Sequence, residues 1–197
     1  MKENRYEIRL GGSGGQGIIL MAVILAEAAG VYGDQHVCQT QSYGPEARGG
    51  KSKAEVVVSA AEIDYPKVIQ MDLFLAMNQP SLDAYFYDFK PNGLLIVDST
   101  FVEQIPTSRV IAIPFTRIAR NELQQEMVAN MVALGALGHF CPKVRLEHLR
   151  EALLSRVPPH TRQLNGDAFG AGLVAAQEVD LAALPHSIIS EEQEDEV

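Results

Sequence analysis

The sequence contains few cysteines and no tryptophan, and its net charge is unsuited to nucleic acid. Only Cys38 and Cys141 occur in 197 residues, without CxxC spacing, so we expect no metal site and no iron–sulfur cluster in this chain. Sixteen basic against 25 acidic residues give a formal charge of −9, which disfavours binding to a phosphate backbone. No apolar run has the length of a membrane span or the flanks of a signal peptide. We therefore expect a cytoplasmic protein that binds neither nucleic acid nor membranes.

What remains is the composition of a folded domain, with 47% hydrophobic and 21% charged residues. Apolar runs typical of strands occupy residues 6–10, 36–40, 51–59, 73–77, 94–97 and 109–113. Helical patterns occupy residues 18–29, 126–140, 146–156 and 161–179. Strands separated by helical or loop connections predict an α/β fold, with a Rossmann-like, mostly parallel sheet, flanking helices and a helical C-terminal part.

The chain divides into one domain and a tail. Residues 1–181 carry the strand and helix patterns, so we predict a single domain there. Five acids occur among the six residues 191–196, without a large apolar side chain. We therefore predict that residues 182–197 form an acidic, flexible tail.

A glycine-rich turn separates the first strand from the first helix. Gly12, Gly14 and Gly17 satisfy the GxGxxG spacing, which lets an anion approach backbone N–H groups at the positive end of a helix. The alternative, equally compatible with the motif alone, is that these glycines only let the helix pack on the sheet. No acid follows the second strand to hold a ribose, which disfavours NAD.

A second unusual loop follows the second strand, over residues 42–50. It contains Tyr43, two pairs of turn-forming residues and Arg48. In a doubly wound sheet this loop would lie beside the glycine turn, where Arg48 would add a positive charge. Lys51 and Lys53, on one face of the next strand, favour the same anion site. The alternative is that Arg48 pairs with Glu46 or another nearby carboxylate.

Several strings in order resemble the gamma subunit of 2-oxoacid:ferredoxin oxidoreductases, most closely the 2-oxoglutarate type. They are GGSGGQG at 11–17, QSYGPEARGG at 41–50, IDYP at 63–66, MNQ at 77–79, GLLIVDS at 93–99 and NMVALGAL at 130–137. The resemblance runs from about Arg5 to Leu137, is weaker near Asn165 and Phe169, and has no counterpart after Leu181.

The resemblance implies a multi-subunit enzyme that converts a 2-oxoacid, coenzyme A (CoA) and oxidised ferredoxin to acyl-CoA, carbon dioxide and reduced ferredoxin. Alpha and beta subunits are expected to hold thiamine diphosphate with magnesium, and a delta subunit to hold the iron–sulfur clusters. This chain lacks a thiamine-binding GDG motif, since Gly166-Asp167 continues as Ala168. We therefore expect it to hold no cofactor alone, to supply no catalytic residue and to be inactive in isolation.

The role left for this chain is to cover the active site and to contact CoA, whose diphosphate suits a glycine turn backed by an arginine. The candidate binding residues are Gly12, Ser13, Gly14, Gly15, Gln16, Gly17, Ser42, Tyr43, Arg48 and Asn78. For Asn78 the alternative is capping of a helix that begins near Ser81, and for Tyr43 it is interface packing.

Other functions stay open at this point. An indolepyruvate or pyruvate oxidoreductase would contain a related chain, a stand-alone nucleotide-binding oxidoreductase would bind NAD(H), and a structural scaffold would use its glycines for packing only. The apolar helices at 18–29 and 127–140 are compatible with a subunit interface, although core packing is the simpler interpretation.

Overall fold

Six strands form one sheet in the computed structural model, which describes residues 5–43 and 51–188. The strands are β1 (Arg5–Ser13), β2 (His36–Tyr43), β3 (Lys51–Ser59), β4 (Met71–Ala76), β5 (Phe89–Asp98) and β6 (Val110–Ile113). The helices within the same ranges are α1 (Ile18–Gly30), α2 (Gln79–Tyr85), α3 (Phe115–Glu122), α4 (Ala129–Phe140), α5 (Leu146–Arg156) and α6 (Arg162–Gln177).

The sheet has the order β2-β3-β1-β4-β5-β6. Strands β1, β4, β5 and β6 are parallel, whereas β3 runs antiparallel to both of its neighbours, β1 and β2. The predicted mostly parallel sheet is thus confirmed, but the doubly wound arrangement at its first strands was wrong. The connection between β2 and β3, residues 44–50, is too short for a parallel crossover, which needs a dozen residues or more.

Apolar side chains fill both faces of the sheet. On one face, Ile8 and Leu10 of β1 belong to the larger core together with helices α1 and α4 to α6. On the other face, Phe74 and Leu95 pack with Leu82 of α2 in a smaller core. Helix α1 lies between the sheet and α5, which explains why it is apolar on most sides.

Helix α4 packs inside the chain. Residues 129–138 are all buried, and a Cβ on Gly135 would overlap the carbonyl oxygen of Phe169 in α6. A Cβ on Gly172 would overlap the carbonyl oxygen of Val132 in the same way. The small residues therefore permit close contact between α4 and α6, which confirms core packing for this helix.

The chain continues to pack after α6. Ile188 is 7% exposed, and its N–H donates to the carbonyl oxygen of Pro91 at 2.9 Å. The hydroxyl of Thr107 donates to the carbonyl oxygen of Ile188. Packing therefore extends at least to Ile188, and the flexible tail stays a prediction. Within the described ranges, no helix is both long and apolar enough to cross a membrane.

Candidate functional site

The glycine turn lies where the parallel strands end. Strand β1 continues through Gly11 and Gly12 to Ser13, the chain turns, and α1 begins at Ile18. Gly11 pairs with Ala76 of the parallel strand β4, so the turns that follow β1 and β4 are neighbours. This end of a parallel sheet is where ligands bind in open α/β folds.

The glycines of the turn have different physical roles. Gly15 and Gly17 have φ angles of 96° and 71°, a region that favours glycine. A Cβ on Gly17 would overlap the amide of Asn130, and one on Gly12 would lie 2.7 Å from the side chain of Ile18. At Gly15, by contrast, a Cβ would meet nothing within 4 Å. Packing therefore accounts for Gly12 and Gly17, whereas Gly15 lies at the exposed tip.

The side chain of Gln16 folds back into the turn. Its Oε1 accepts hydrogen bonds from the Ser13 N–H at 2.7 Å and from the Ser13 hydroxyl at 3.0 Å. The same oxygen accepts a third bond, from Nδ2 of Asn78 at 3.0 Å, while Nε2 of Gln16 donates to the carbonyl oxygen of Met77 at 3.3 Å. Gln16 therefore ties the glycine turn to the turn between β4 and α2.

Asn78 takes both of the roles considered from sequence, capping a helix and lying near the glycine turn. Its Oδ1 accepts from the Ser81 N–H at 2.9 Å, which satisfies a backbone donor in the first turn of α2 and confirms the capping alternative. Its Nδ2 points the other way, to Gln16. The structure thus brings Asn78 to the glycine turn.

The loop that contains Arg48 is described only at its two ends. Arg48 and the other residues of 44–50 lie outside the described ranges, Tyr43 is the last residue of β2, and Ser42 is exposed. Ser52 pairs with both Gly12 and Tyr43, and the Ser52 hydroxyl donates to the carbonyl oxygen of Gly12 at 3.2 Å. Both ends of the loop therefore lie at the same end of the sheet as the glycine turn: Lys51 pairs directly with Ser13, and Tyr43 is separated from the turn by β3 alone.

The charges along β3 are largely paired. Glu55, which is buried, accepts from Arg9 Nε at 2.9 Å and from Lys53 Nζ at 3.1 Å. The Lys53 ammonium also lies 5.7 Å from the ring of Tyr85, whose pKa is raised by burial. Lys51, paired in register with Ser13, is exposed. Of the two lysines, Lys51 therefore lies nearer to the turn, whereas Lys53 forms an ion pair with Glu55.

A separate cavity, of about 570 Å³, lies between β6, α3 and α6. Its lining combines apolar side chains such as Ile118 and Val174 with Arg117 and Glu178. None of the predicted site residues lines it. In the part of the chain that the structure describes, no three metal-binding side chains come together.

Comparison with known proteins shows similarity along most of the chain. Residues 7–175 match the family model described as pyruvate ferredoxin/flavodoxin oxidoreductase. The chain is 47% identical over 179 residues to 2-oxoglutarate synthase subunit KorC of Methanocaldococcus jannaschii, a match that covers 89% of this chain and 96% of that protein.

Two solved structures have the same fold. The gamma subunit of a keto/oxoacid ferredoxin oxidoreductase from Geobacter sulfurreducens has a TM-score of 0.80 at 43% identity, covering 88% of this chain and 99% of that one. The 2-oxoglutarate:ferredoxin oxidoreductase of Magnetococcus marinus, solved with 2-oxoglutarate, coenzyme A and succinyl-CoA bound, also has a TM-score of 0.80. Its identity is 25%, and the match covers 96% of this chain but 34% of that one.

Proposed function

The chain belongs to the pyruvate ferredoxin/flavodoxin oxidoreductase family, and from this membership we propose that it is the gamma subunit of a 2-oxoglutarate:ferredoxin oxidoreductase. Its similarity to a 2-oxoglutarate synthase subunit and to an oxidoreductase gamma subunit, each over nearly the whole length of the relative, supports this proposal. The complex would convert 2-oxoglutarate, CoA and oxidised ferredoxin to succinyl-CoA, carbon dioxide and reduced ferredoxin.

The redox chemistry of this reaction is assigned to other subunits. Alpha and beta subunits would hold thiamine diphosphate and magnesium, and a delta subunit would carry the iron–sulfur clusters that pass electrons to ferredoxin. The gamma chain would cover the active site and supply no acid, base or nucleophile. Its contribution would be to hold CoA in place.

We propose that CoA binds at the glycine turn through its diphosphate. Backbone N–H groups of the turn after Ser13, at the positive end of α1, would face the phosphate oxygens, and the guanidinium of Arg48 would neutralise their charge. Ser42 and Tyr43 would line the approach. The observation that carries this proposal is the position of the loop ends: Lys51 is paired with Ser13, and Ser52 with Gly12.

Replacing Arg48 by alanine in the assembled complex tests this proposal. Loss of a charge-assisted contact to a phosphate should raise KM for CoA about tenfold, with kcat and KM for 2-oxoglutarate changed less than about twofold. Arg150→Ala, an exposed arginine on α5, is the matched control and should leave all three constants unchanged. An unchanged KM for CoA in an intact Arg48→Ala complex would support the scaffold alternative instead.

A further inference from the structure

The glycine turn is joined to the neighbouring β4–α2 turn by one side chain. In the described part of the chain, the hydrogen bonds that link residues 14–17 to that neighbouring turn all run through the amide of Gln16. Gln16 donates to Met77 and accepts from Asn78, while it also accepts from Ser13 at the end of β1. A single amide therefore connects three points: the end of β1, the end of β4 and the cap of α2.

The amide oxygen of Gln16 accepts hydrogen bonds from groups that could otherwise donate to a bound anion. A carbonyl oxygen has two lone pairs, and Gln16 Oε1 already receives three donors, two from Ser13 and one from Asn78. The Ser13 N–H and one of the two N–H groups of the Asn78 amide are therefore occupied while Gln16 stays in place. The Gln16 N–H already donates to the carbonyl oxygen of Ser13 at 3.1 Å, so the donors of the turn left for a phosphate are the backbone N–H groups of Gly14, Gly15 and Gly17.

Apart from the Gln16 side chain, the tip of the turn is restrained by the backbone bond from the Gln16 N–H to the carbonyl oxygen of Ser13 at 3.1 Å, and by little else. A Cβ on Gly15 would meet nothing within 4 Å, and Gly14 and Gly15 are exposed. Glycines without neighbours sample many conformations, so a binding shape there must be imposed from elsewhere. The bonds of Gln16 to both sides of the turn are suited to impose it.

From these contacts we infer that Gln16 and Asn78 are positioning residues for CoA: they hold the glycine turn in its binding shape and do not touch the ligand. This inference rests on the proposed CoA site. Gln16 holds the backbone of the turn in position, and Asn78 holds the side chain of Gln16. The Nδ2 of Asn78 donates to Oε1 of Gln16, while Oδ1 of Asn78 caps α2.

Two substitutions separate positioning from helix capping. Gln16→Met keeps the side-chain length but removes every bond of the amide. Asn78→Ser retains a good capping oxygen for the Ser81 N–H but removes the donor to Gln16. In the assembled complex each should raise KM for CoA about fivefold, with kcat at saturating CoA and KM for 2-oxoglutarate within about twofold of wild type. Gln163→Met, on the exposed side of α6 where its amide bonds Asp167, is the matched control and should change nothing.

The double variant tests whether the two residues act together. Because Gln16→Met already removes the partner of Asn78, adding Asn78→Ser should give no further rise in KM for CoA. If the rise in KM for CoA in the double variant equals the product of the two single rises, the two residues act independently, and the inference is wrong. A fall in kcat that accompanies the rise in KM in both single variants would also contradict it, since that result indicates general damage to the complex.

Hydrogen exchange of the Ser13 backbone amide in the full chain, without CoA, measures how well the bond from Ser13 to Gln16 Oε1 protects that N–H. Exchange should be slow in the wild type, at least about tenfold faster in Gln16→Met, and also faster than wild type in Asn78→Ser, because that variant loses the bond that holds Gln16 in place. If Gln16→Met accelerates exchange but leaves KM for CoA unchanged, while Arg48→Ala raises it, the positioning role is wrong and the CoA site stands. If Arg48→Ala also leaves KM unchanged, the CoA site itself is wrong, and the positioning role falls with it.

Discussion

Glycines 15 and 17 adopt similar backbone conformations in different surroundings. Replacing Gly17 by alanine adds the strain of a positive φ and an overlap with the buried amide of Asn130. We expect the free energy of unfolding to fall by about 2–4 kcal/mol. At Gly15 the same substitution adds strain alone, so a loss of about 1–2 kcal/mol is expected. Urea denaturation of the two variants measures the difference.

Removing the overlap should recover part of the stability lost in Gly17→Ala. The combined variant Gly17→Ala, Asn130→Ala should therefore be more stable than the sum of the two single changes predicts. Equal losses at Gly15 and Gly17 would show that the contact with Asn130 has no energetic weight.

The buried thiol of Cys141 predicts a loss of stability at alkaline pH. Burial raises the pKa of this thiol from about 9 to about 11, although backbone N–H groups at Lys143 and Val144 act in the opposite direction. Below pH 9 the thiol is protonated in both states. Between pH 9 and 11 the unfolded chain releases the proton while the folded chain keeps it, so the free energy of unfolding should fall by roughly 2–3 kcal/mol.

Denaturation from pH 8 to 11 in the wild type and in Cys141→Ala checks this expectation. The free energy of unfolding of the variant should fall less over that range. The smaller side chain lowers this free energy equally at every pH and so does not change the slope. Burial also raises the pKa of Tyr6, so Tyr6→Phe separates the contribution of the phenol above pH 10. Identical slopes in the wild type and Cys141→Ala would rule out the buried thiol as the cause.

At the scale of elements, the contact between α4 and α6 depends on two glycines. In Gly172→Ala the new Cβ would overlap backbone of α4, which the helices relieve only by moving apart. We expect a loss of about 3 kcal/mol or more in the free energy of unfolding. Gly170→Ala, on the same helix with nothing within 4 Å of the new Cβ, should stay within about 1 kcal/mol of the wild type and tend to be more stable. Thermal and urea denaturation compare them, and similar losses in both variants would contradict a close helix contact.

Elements with long apolar patterns could be predicted from the sequence, whereas short ones could not. The predicted bounds of β3 and α5 agree with the structure, because each is set by sustained periodicity. Helix α3 was not predicted: its eight residues contain five polar or charged side chains beside Phe115 and Ile118, too short a pattern to recognise. Helix α2 begins at Gln79 because Pro80 suits a first turn, earlier than the predicted start near Ser81.

At the scale of the whole molecule, contacts between distant strands were beyond sequence reasoning. An apolar run does not reveal the direction in which a strand pairs, so the antiparallel β2–β3 hairpin was missed, although the length of its connection pointed to it. The buried pair of Arg9 with Glu55 and the bonds of Gln16 to Asn78 join residues far apart in sequence. The candidate residues of the site could be named from their motifs, but the geometry that joins them could not.

The proposed complex makes a prediction about its substrate. When this chain is purified with its partner subunits, 2-oxoglutarate should support CoA-dependent reduction of ferredoxin, and pyruvate and indolepyruvate should support it at least about tenfold less well, measured as kcat/KM. The isolated chain should show no turnover. Preference for pyruvate or indolepyruvate would reassign the complex to another 2-oxoacid, and turnover by the chain alone would overturn the subunit role.

The most direct test of the CoA site is a structure of the assembled complex with CoA bound. We expect the CoA diphosphate within hydrogen-bonding distance of the backbone N–H groups of Gly14, Gly15 and Gly17, with the Arg48 guanidinium on its other side and Gln16 still bonded to Ser13 and Asn78. A diphosphate held entirely by other subunits, with the glycine turn facing away from it, would show that CoA does not bind at this turn.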